Sequence, residues 1–277
     1  MKQFTIITIN KDNANGLENT IVSVINQSHC DYEYIIIDGK STDGSVDVIK
    51  KYENSISYWI SEKDTGIYNA MNKGVKASHG DYCIFMNSGD CFHDPQVLEN
   101  IQPVCNKDIV VGKVYTTDGH EYLYQPSSLS MYFFYSCSIA HQGAFIRRTL
   151  LEKFPYDETL KITSDWKFFV QAVIFDNCSI EFHSTPVALF ESGGISMTQT
   201  DATWNEKLKV MKIMFPDRVL EDYRQIKQCE CLTLSLLPSL RKSYRIDKLI
   251  YKLAKILLKL THTKICFSKD KQQKEHP

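Results

Sequence analysis

Four short polar stretches in the first ninety residues combine side chains that suit the same chemistry. They read TIN at 8–10, DGKSTD at 38–43, EKD at 62–64 and NSGD at 87–90. Their carboxylate, amide and hydroxyl oxygens can accept hydrogen bonds from a polar ligand, and hard divalent cations prefer oxygen ligands. Each stretch alone also fits ordinary turn and helix-cap chemistry, which favours the same residue types. A shared function therefore requires a fold that brings the four together.

The spacing of apolar residues predicts such a fold. β-branched runs predict strands at 4–9, 34–37, 56–60 and 82–86, and apolar stripes predict helices at 16–27, 45–52 and 67–77. Strand and helix alternation indicates an α/β protein with a mainly parallel, Rossmann-like sheet flanked by helices. Ligands of such sheets bind beyond the carboxyl ends of the strands, where each of the four polar stretches begins.

The string GKST at 39–42 also matches the last four residues of a phosphate-binding P-loop motif. A P-loop needs glycine five positions before its Gly-Lys pair, and this chain has Tyr34 there. The string also follows the second predicted strand and not the first. No Gly-x-Gly-x-x-Gly follows the first strand, as dinucleotide binding would require. Both nucleotide-binding classes are therefore disfavoured.

The second half predicts an α+β arrangement. We expect a hairpin in 108–125 around Thr117-Asp118-Gly119, and the remaining elements are a helix at 163–175, strands at 180–183 and 186–190, and a helix at 201–214 before Pro216. The predicted organisation is one domain at 1–215, with two halves at 1–100 and 101–215, followed by a helical extension and basic tail at 216–277.

The charge of the chain is unevenly distributed. Residues 240–277 carry a net +8, and the first 239 residues carry −9. An acidic body disfavours nucleic-acid binding. The segment 240–260 is predicted to form a basic amphipathic helix that binds an anionic membrane surface, although packing on the acidic body is an alternative. Scattered, odd-numbered cysteines and the lack of a signal peptide or spanning segment predict a cytoplasmic protein, peripheral on the inner face of the membrane.

The polar stretches and their surroundings resemble a known family. "TIITIN", "YIIIDGKSTDGS", "DTGIYNAMNKG" and "FMNSGD" are similar to the successive nucleotide-sugar-binding motifs of family-two glycosyltransferases with the GT-A fold. "HQGAFIRR", "TSDWKFF" and "GGIS" resemble acceptor-side motifs of a bacterial branch that builds surface polysaccharides. The resemblance covers residues 3–200. It implies inverting transfer of a sugar from a UDP-sugar to a saccharide acceptor, lipid-linked in this branch.

The resemblance also implies roles for individual residues. Asp38 is expected to contact the uracil or ribose, and its alternative is a loop or cap aspartate. Lys73 is equally compatible with a surface lysine. The complete set of expected nucleotide-sugar-binding residues is Thr8, Asn10, Asp38, Asp64, Lys73, Asn87 and Asp90.

A divalent cation is expected at the NSGD stretch. The family has an Asp-x-Asp element that holds Mg²⁺ or Mn²⁺ against the diphosphate. Here Asn87 and Gly89 replace the two acids, so Asp90 is the expected metal ligand. The affinity for the metal ion is expected to be low. His183 on a later strand is an alternative ligand.

The resemblance places the catalytic acid in TSDWKFF, where Asp165 is the expected general base, with a helix cap as the alternative reading. Desolvation by Trp166 is expected to raise its basicity. The expected acceptor-side residues are His141, Gln142, Trp166, Gly193, Gly194 and Ser196. An alternative function is a catalytically inactive, nucleotide-sugar-binding partner subunit, which the reduced NSGD motif favours and Asp165 disfavours.

Overall fold

A computed structural model of the protein describes residues 3–28, 31–122, 126, 129–190 and 200–240. The chain divides into two compact units, Met1–Phe215 and Pro216–Pro277. The GGIS motif and residues 241–260 of the expected basic helix lie outside the described residues. Within the described residues, no helix is both long enough and apolar enough to cross a membrane.

The first unit is built on one sheet, which contains nine strands in the described residues. They are β1 (Phe4–Asn10), β2 (Tyr32–Asp38), β3 (Tyr58–Ser61), β4 (Tyr82–Phe85), β5 (Cys91–Phe92), β6 (Ile109–Thr116), β7 (Glu121–Tyr122), β8 (Ala144–Arg147) and β9 (Ile180–Phe190). The strand order is β3-β2-β1-β4-β8-β6-β9-β5, and β7 pairs with β6.

Helices α1 to α7 of the first unit lie between these strands in the chain, and α8 follows β9. They are α1 (Ala14–Ile25), α2 (Ser45–Lys51), α3 (Ile67–Ala77), α4 (Val97–Ile101), α5 (Met131–Ser136), α6 (Arg148–Lys153), α7 (Ser164–Phe169) and α8 (Thr200–Met214). Helix α9 (Asp217–Leu240) belongs to the second unit and lies in the segment 216–277, for which a helical extension without bounds was predicted before residue 240.

The α/β prediction for the first hundred residues is confirmed. Strands β3, β2, β1 and β4 are mutually parallel, and α1, α2 and α3 connect them. The register aligns the strand ends, because Asn10 pairs with Asp38 and Asp38 pairs with Ser61. Polar residues from three separate strands therefore lie side by side at one edge of the sheet.

The other half of the sheet is mixed. Strand β8 runs antiparallel to both β4 and β6, whereas β9 runs parallel to β6. Three details differ from the sequence predictions. Residues 180–190 form one strand, β9, because its register with β6 shifts around Lys113 without a break. The helix predicted at 163–175 is α7 followed by a π-helical segment, Val170–Phe175, and the short β5 and β8 were not predicted.

Close packing of α3 on β1 positions one wall of the candidate site. Every residue of β1 is buried. A Cβ atom placed on Gly74 would lie 2.4 Å from Cγ2 of Ile7, so only glycine lets the helix approach the strand this closely. At the other end of the helix, Gly66 has φ 148°, a conformation that L side chains rarely adopt. The turn at Gly66 brings the start of α3 to the carboxyl edge of the sheet.

Candidate active site

A cleft of about 770 Å³ lies at the carboxyl edge of the parallel strands. Its walls come from the end of β1, the start of α3, the loop after β4, the short 3₁₀ turn before β8 and the segment entering α7. The lining residues are Ile9, Asn10, Lys11, Asn13, Asp64, Gly66, Ile67, Tyr68, Ala70, Met71, Asn87, Ser88, Gly89, Asp90, His141, Gln142, Lys161, Ile162, Asp165 and Phe190.

Asp38 lies directly behind Asn10 and not on the cleft wall. Its side chain is fully buried, and its two carboxylate oxygens accept four hydrogen bonds from the chain itself. The donors are Asn10 Nδ2 (2.8 Å), Ser41 Oγ (2.6 Å), Ser41 backbone N (3.0 Å) and Ser61 Oγ (2.5 Å). Burial alone would raise the pKa of Asp38, but these hydrogen bonds outweigh it and lower the pKa. Asp38 is therefore an ionised anchor for Asn10.

Asn10 faces the cleft from the end of β1. Its side chain is only 4% exposed, and Nδ2 donates to Asp38 and Ser41. Its Oδ1 is buried and has no hydrogen-bond partner within the described residues. Such an unpaired acceptor is costly unless a ligand provides a donor.

The structure does not bring Thr8 to the cleft. Its hydroxyl donates to the Met86 carbonyl at 2.7 Å and lies 3.0 Å from the hydroxyl of Tyr34, and the residue is fully buried. The reason is its position two residues before the carboxyl end of β1, inside the layered core.

Asp64 and Lys73 have different surroundings. Asp64 is half-buried and lines the cleft, with its carboxylate packed against the backbone of Gly39. Lys73 is absent from the cleft wall, because it lies on another face of α3, where its Nζ contacts Glu62 at 2.6 Å. Its expected contact with the nucleotide is not supported by this placement.

The NSGD loop lines the cleft along its whole length. Gly89 has φ 105°, and its backbone N–H donates to the hydroxyl of Thr20, which in turn donates to the Asp90 carbonyl at 2.7 Å. Asp90 is 5% exposed. The side chain of Asn87 resembles that of Asn10, because its Oδ1 is also buried and without a partner in the described residues.

His141 connects the NSGD loop to Asp165. Its Nε2 lies 3.2 Å from Asn87 Nδ2, and its Nδ1 lies 3.2 Å from Asp165 Oδ2. The other carboxylate oxygen of Asp165 accepts a hydrogen bond of 3.2 Å from the Tyr68 hydroxyl. Asp165 thus has two partners, each from a different wall of the cleft, and its side chain remains 19% exposed.

Burial and nearby charges shift the pKa values of His141 and Tyr68. Burial lowers the pKa of His141, but its contact with Asp165 and the negative charges of Asp165 and Asp90 outweigh burial, so the net pKa is raised. Burial and the neighbouring charge of Asp165 both raise the pKa of Tyr68, which keeps its hydroxyl protonated as a donor. Both residues therefore hold the Asp165 carboxylate in place.

Of the remaining residues predicted on the acceptor side, one lines the cleft, one does not, and three lie outside the described residues. Gln142 is buried in the cleft wall. Trp166 is not part of the wall, because it is 2% exposed and its indole N–H donates to the Phe134 carbonyl at 2.8 Å. Gly193, Gly194 and Ser196 lie outside the described residues.

Sequence reasoning missed the residues that hold Asp165 in place. Tyr68 was part of a quoted motif, but nothing in its type or spacing pointed to a contact 97 positions away. Glu206, on α8, accepts hydrogen bonds of 2.8–2.9 Å from the backbone N–H groups of Lys161, Ile162 and Thr163 and from the Thr163 hydroxyl. No local sequence pattern could have revealed that contact.

Few side chains in the cleft could bind a divalent cation. Within the described residues, no three His, Cys, Asp or Glu side chains come together as a metal site. The cleft does hold the Asp90 carboxylate and the unpartnered Oδ1 of Asn87. Magnesium sites often use one or two protein oxygens together with substrate phosphates and water, so these groups fit a cation that depends on the donor diphosphate. His183 does not line the cleft.

Residues 5–171 match the family described as Glycosyl transferase family 2, which is more than half of the chain. The chain belongs to glycosyltransferase family 2. The matched region contains Asn10, the NSGD loop, His141 and Asp165, and every residue that lines the cleft except Phe190.

Curated relatives carry glycosyltransferase names. This family-2 chain is 26% identical over 216 residues to a "PGL/p-HBAD biosynthesis glycosyltransferase" of Mycobacterium bovis, covering 74% of this chain and 83% of the relative. It is 35% identical over 120 residues to the poly(ribitol-phosphate) beta-N-acetylglucosaminyltransferase TarP of Staphylococcus aureus, covering 41% and 37% of the two chains.

Solved structures confirm the predicted GT-A fold. Residues 1–349 of S. aureus TarS, in complex with UDP-GlcNAc, superpose with a TM-score of 0.58 at 18% identity, covering 71% of this family-2 chain and 61% of that chain. The mannosyltransferase PcManGT of Pyrobaculum calidifontis, in complex with GDP-Man and Mn²⁺, gives a TM-score of 0.52 at 15% identity, covering 68% and 56%. At these identities the likeness shows the fold alone.

Proposed function

We propose that this family-2 glycosyltransferase transfers a sugar, with inversion, from a UDP-sugar to a saccharide acceptor in the synthesis of a bacterial surface polysaccharide. The observation that carries the proposal is the Asp165 carboxylate, held by His141 and Tyr68 in the same cleft as the oxygen-rich NSGD loop. The relatives named as a PGL/p-HBAD biosynthesis glycosyltransferase and a poly(ribitol-phosphate) beta-N-acetylglucosaminyltransferase support transfer to a larger biosynthetic acceptor. A lipid-linked acceptor is part of the proposal.

Asp165 acts as the general base. One carboxylate oxygen takes the proton of the acceptor hydroxyl while the hydroxyl oxygen forms a bond to the anomeric carbon. The bond between the anomeric carbon and the donor phosphate breaks, and its electron pair leaves with UDP. Tyr68 and His141 hold the carboxylate in one orientation during the transfer, which reduces the entropy cost of reaching the reactive geometry.

Asp90 and Asn87 are the residues that would hold a divalent cation. Such a cation, when bound, neutralises charge on the diphosphate leaving group. Asp90 is the one carboxylate of the NSGD loop, and the unpaired Asn87 Oδ1 beside it is a suitable second oxygen ligand. The weakened motif predicts that the cation binds together with the donor.

Loss of the base tests the proposal. Asp165→Asn keeps the size of the side chain but removes its ability to accept a proton. We expect transfer or UDP-sugar hydrolysis to fall by about a hundredfold or more while UDP binding persists. Unchanged turnover in this variant would show that Asp165 is not the base.

An inactive, nucleotide-sugar-binding partner subunit is the competing function. The reduced NSGD loop favours it, but a binding subunit has no need of a carboxylate oriented by two other side chains. An activity screen across UDP-sugars with Mn²⁺ separates the two functions, since only the enzyme releases UDP.

Membrane association remains a proposal based on charge. Residues 240–277 carry a net +8, which would attract an anionic surface and place the protein on the inner face of the cytoplasmic membrane. Co-sedimentation of the full chain with anionic vesicles, compared with zwitterionic vesicles, tests this part separately from catalysis. Equal recovery with both vesicle types would contradict it.

A further inference from the structure

Two adjacent residues of helix α8 contact the segments that lead into His141 and Asp165. Glu206 accepts hydrogen bonds from the backbone just before Asp165. Lys207 donates from Nζ to the Cys137 carbonyl at 2.9 Å, four residues before His141. Both α8 residues lie beyond the part of the chain that matches the family, so this helix supports the pair from outside the matched region.

Lys207 also contacts the residue that follows Asp165 in the chain. Its Nζ lies 4.8 Å from the centre of the Trp166 ring, which is a cation–π distance. The indole N–H of the same ring donates to the Phe134 carbonyl at 2.8 Å. Lys207 and Trp166 therefore both bind the end of α5 and the residue after it, and the chain continues from there to His141.

The ammonium group of Lys207 is buried at a cost to stability. The residue is 7% exposed, and its partners are a neutral carbonyl and the face of a ring, with no direct ion pair in the described residues. Burial lowers its pKa to about 8, because the charged form loses its hydration. The negative charge of Asp165 opposes this shift, so the ammonium group and the proposed base attract each other. Proteins keep such destabilising groups where activity needs them.

We propose that Lys207 is a positioning residue of the sugar transfer. It links the segment before His141 to the Trp166 indole, and this link sets where His141 meets Asp165. The inference rests on the proposed function and deepens it. Nδ1 of His141 lies 3.2 Å from Oδ2 of Asp165, although the two residues come from different segments. One ammonium group fixes the separation of those segments, because a hydrogen bond and a cation–π contact both depend on distance and direction.

Lys207→Met separates a positioning role from a structural one. Methionine fills much of the same volume without a charge, and Cys137 is exposed, so water can replace the lost hydrogen bond to its carbonyl. We expect the variant to be at least as stable as the wild type at pH 7 in urea unfolding. Its kcat should fall by about tenfold, because the proposed base loses its alignment, and KM for the UDP-sugar should stay within about threefold. The substrate is the UDP-sugar from which the wild type releases UDP.

Two further variants control this result. Lys207→Arg keeps a cation and N–H donors, so its kcat should return to within about threefold of the wild-type value. Lys212→Met, at an exposed position on the same helix, should change neither kcat nor stability. An equal loss of kcat in Lys207→Arg and Lys207→Met, with both proteins folded, contradicts the role of the cation.

Hydrogen exchange of the full chain tests the positioning without an activity assay. In Lys207→Met, peptides that cover 137–143 and 161–167 should take up deuterium at least about threefold faster than in the wild type, because the two segments lose their link. Peptides that cover β1 should exchange at the wild-type rate, which a general loss of stability would not allow. Unchanged exchange in both of the first two peptides overturns the inference.

The kinetic outcomes distinguish this inference from the proposed function. A Lys207→Met protein with the kcat of the wild type overturns the role of Lys207, whereas loss of transfer in Asp165→Asn still supports the proposed base. A wild type that releases UDP from no UDP-sugar overturns the proposed function, and the positioning role with it.

Discussion

Nδ1 of His141 lies 3.2 Å from Oδ2 of Asp165, so the imidazole and the carboxylate form one unit in the cleft. The other ring nitrogen lies 3.2 Å from Asn87 Nδ2 in the NSGD loop. His141 thereby couples the position of the proposed base to the loop that faces the donor. A ligand that moves Asn87 would also move the carboxylate that accepts the proton.

Replacing His141 should separate catalysis from donor binding. His141→Gln removes the contact with Asp165 but keeps a polar side chain in the cleft. We expect kcat to fall by about tenfold to a hundredfold, because the carboxylate loses one of its two orienting partners, and UDP affinity to change by less than about threefold. Steady-state kinetics and calorimetry measure the two effects.

His93→Gln is the matched control for this substitution. His93 lies outside the cleft, where its Nδ1 lies 3.2 Å from Asp94 Oδ2 and the centre of its ring lies 5.6 Å from that of Tyr115. Activity should be unchanged in this variant. An equal loss of kcat in both variants, or a loss of UDP affinity alone in His141→Gln, would contradict the orienting role.

The parallel half of the fold was predictable because its signals are local. Apolar runs, glycine turns and the order of strands and helices are visible in short windows, and they also fixed where Asn10 and the NSGD loop had to lie. Short-range arguments could not tell which residues of an element reach the cleft, however. Thr8 and Lys73 were expected there, but Thr8 lies two residues before the carboxyl end of β1, inside the core, and helical phase places Lys73 beside Glu62.

The contacts that complete the site join distant parts of the chain. Tyr68 and Asp165 are 97 positions apart, and Glu206 lies more than 40 positions after the segment it holds. Neither relation has a period or spacing that a sequence could display. The four hydrogen bonds that Asp38 accepts could not be predicted either. One of them comes from Ser61, which a different strand brings alongside.

Donor binding should depend on a divalent cation through Asp90. We expect Mn²⁺ or Mg²⁺ to raise the affinity for UDP by about tenfold in the wild type, because the cation offsets repulsion between the diphosphate and the buried carboxylate. Asp90→Asn should remove this gain and leave metal-free UDP binding intact or improved. Thermal shift with UDP, with Mn²⁺ and with EDTA measures the coupling. A variant that keeps the full response to Mn²⁺ would exclude Asp90 as the ligand.

Glu206 should stabilise the segment that leads into Asp165. Its carboxylate accepts three backbone N–H groups and one hydroxyl, and these hydrogen bonds lower its pKa although burial opposes them. Glu206→Gln keeps the volume of the side chain but replaces one accepting oxygen with an NH₂ group. That group cannot accept the hydrogen bonds that Glu206 accepts. We expect a loss of about 1–3 kcal/mol in the free energy of unfolding at pH 7, together with a lower kcat.

The pH dependence of this loss has a definite sign. A carboxylate whose folded pKa is lowered stabilises the native state above its unfolded pKa, and that stabilisation disappears as pH falls through the folded pKa. The difference between wild type and Glu206→Gln should therefore shrink in acid. Glu18→Gln, which breaks an exposed ion pair with Lys51, is the control and should cost less stability than Glu206→Gln. Equal losses in the two variants would contradict the role of Glu206.

Lys207 is a buried cation whose cost should be measurable at high pH. It is 7% exposed, donates to the Cys137 carbonyl at 2.9 Å and lies 4.8 Å from the centre of the Trp166 ring. Burial lowers its pKa from 10.5 to about 8, although the charge of Asp165 partly opposes the shift. Below pH 8 the amine is charged in both states, and the native state bears the full cost of burying it.

Between pH 8 and 10.5 the unfolded chain binds more protons at this lysine than the native state does, so stability rises with pH. Lys207→Met lacks this titration. The stability of the wild type relative to that of Lys207→Met should therefore rise by about 3 kcal/mol in total across this window. Urea unfolding of both proteins at pH 7 and at pH 10 measures the change, and other titrating groups cancel in the comparison. Lys212→Met, an exposed position on the same helix, should show no such rise. A wild-type advantage that stays constant or declines between pH 7 and pH 10 would mean that Lys207 is not a destabilised buried cation.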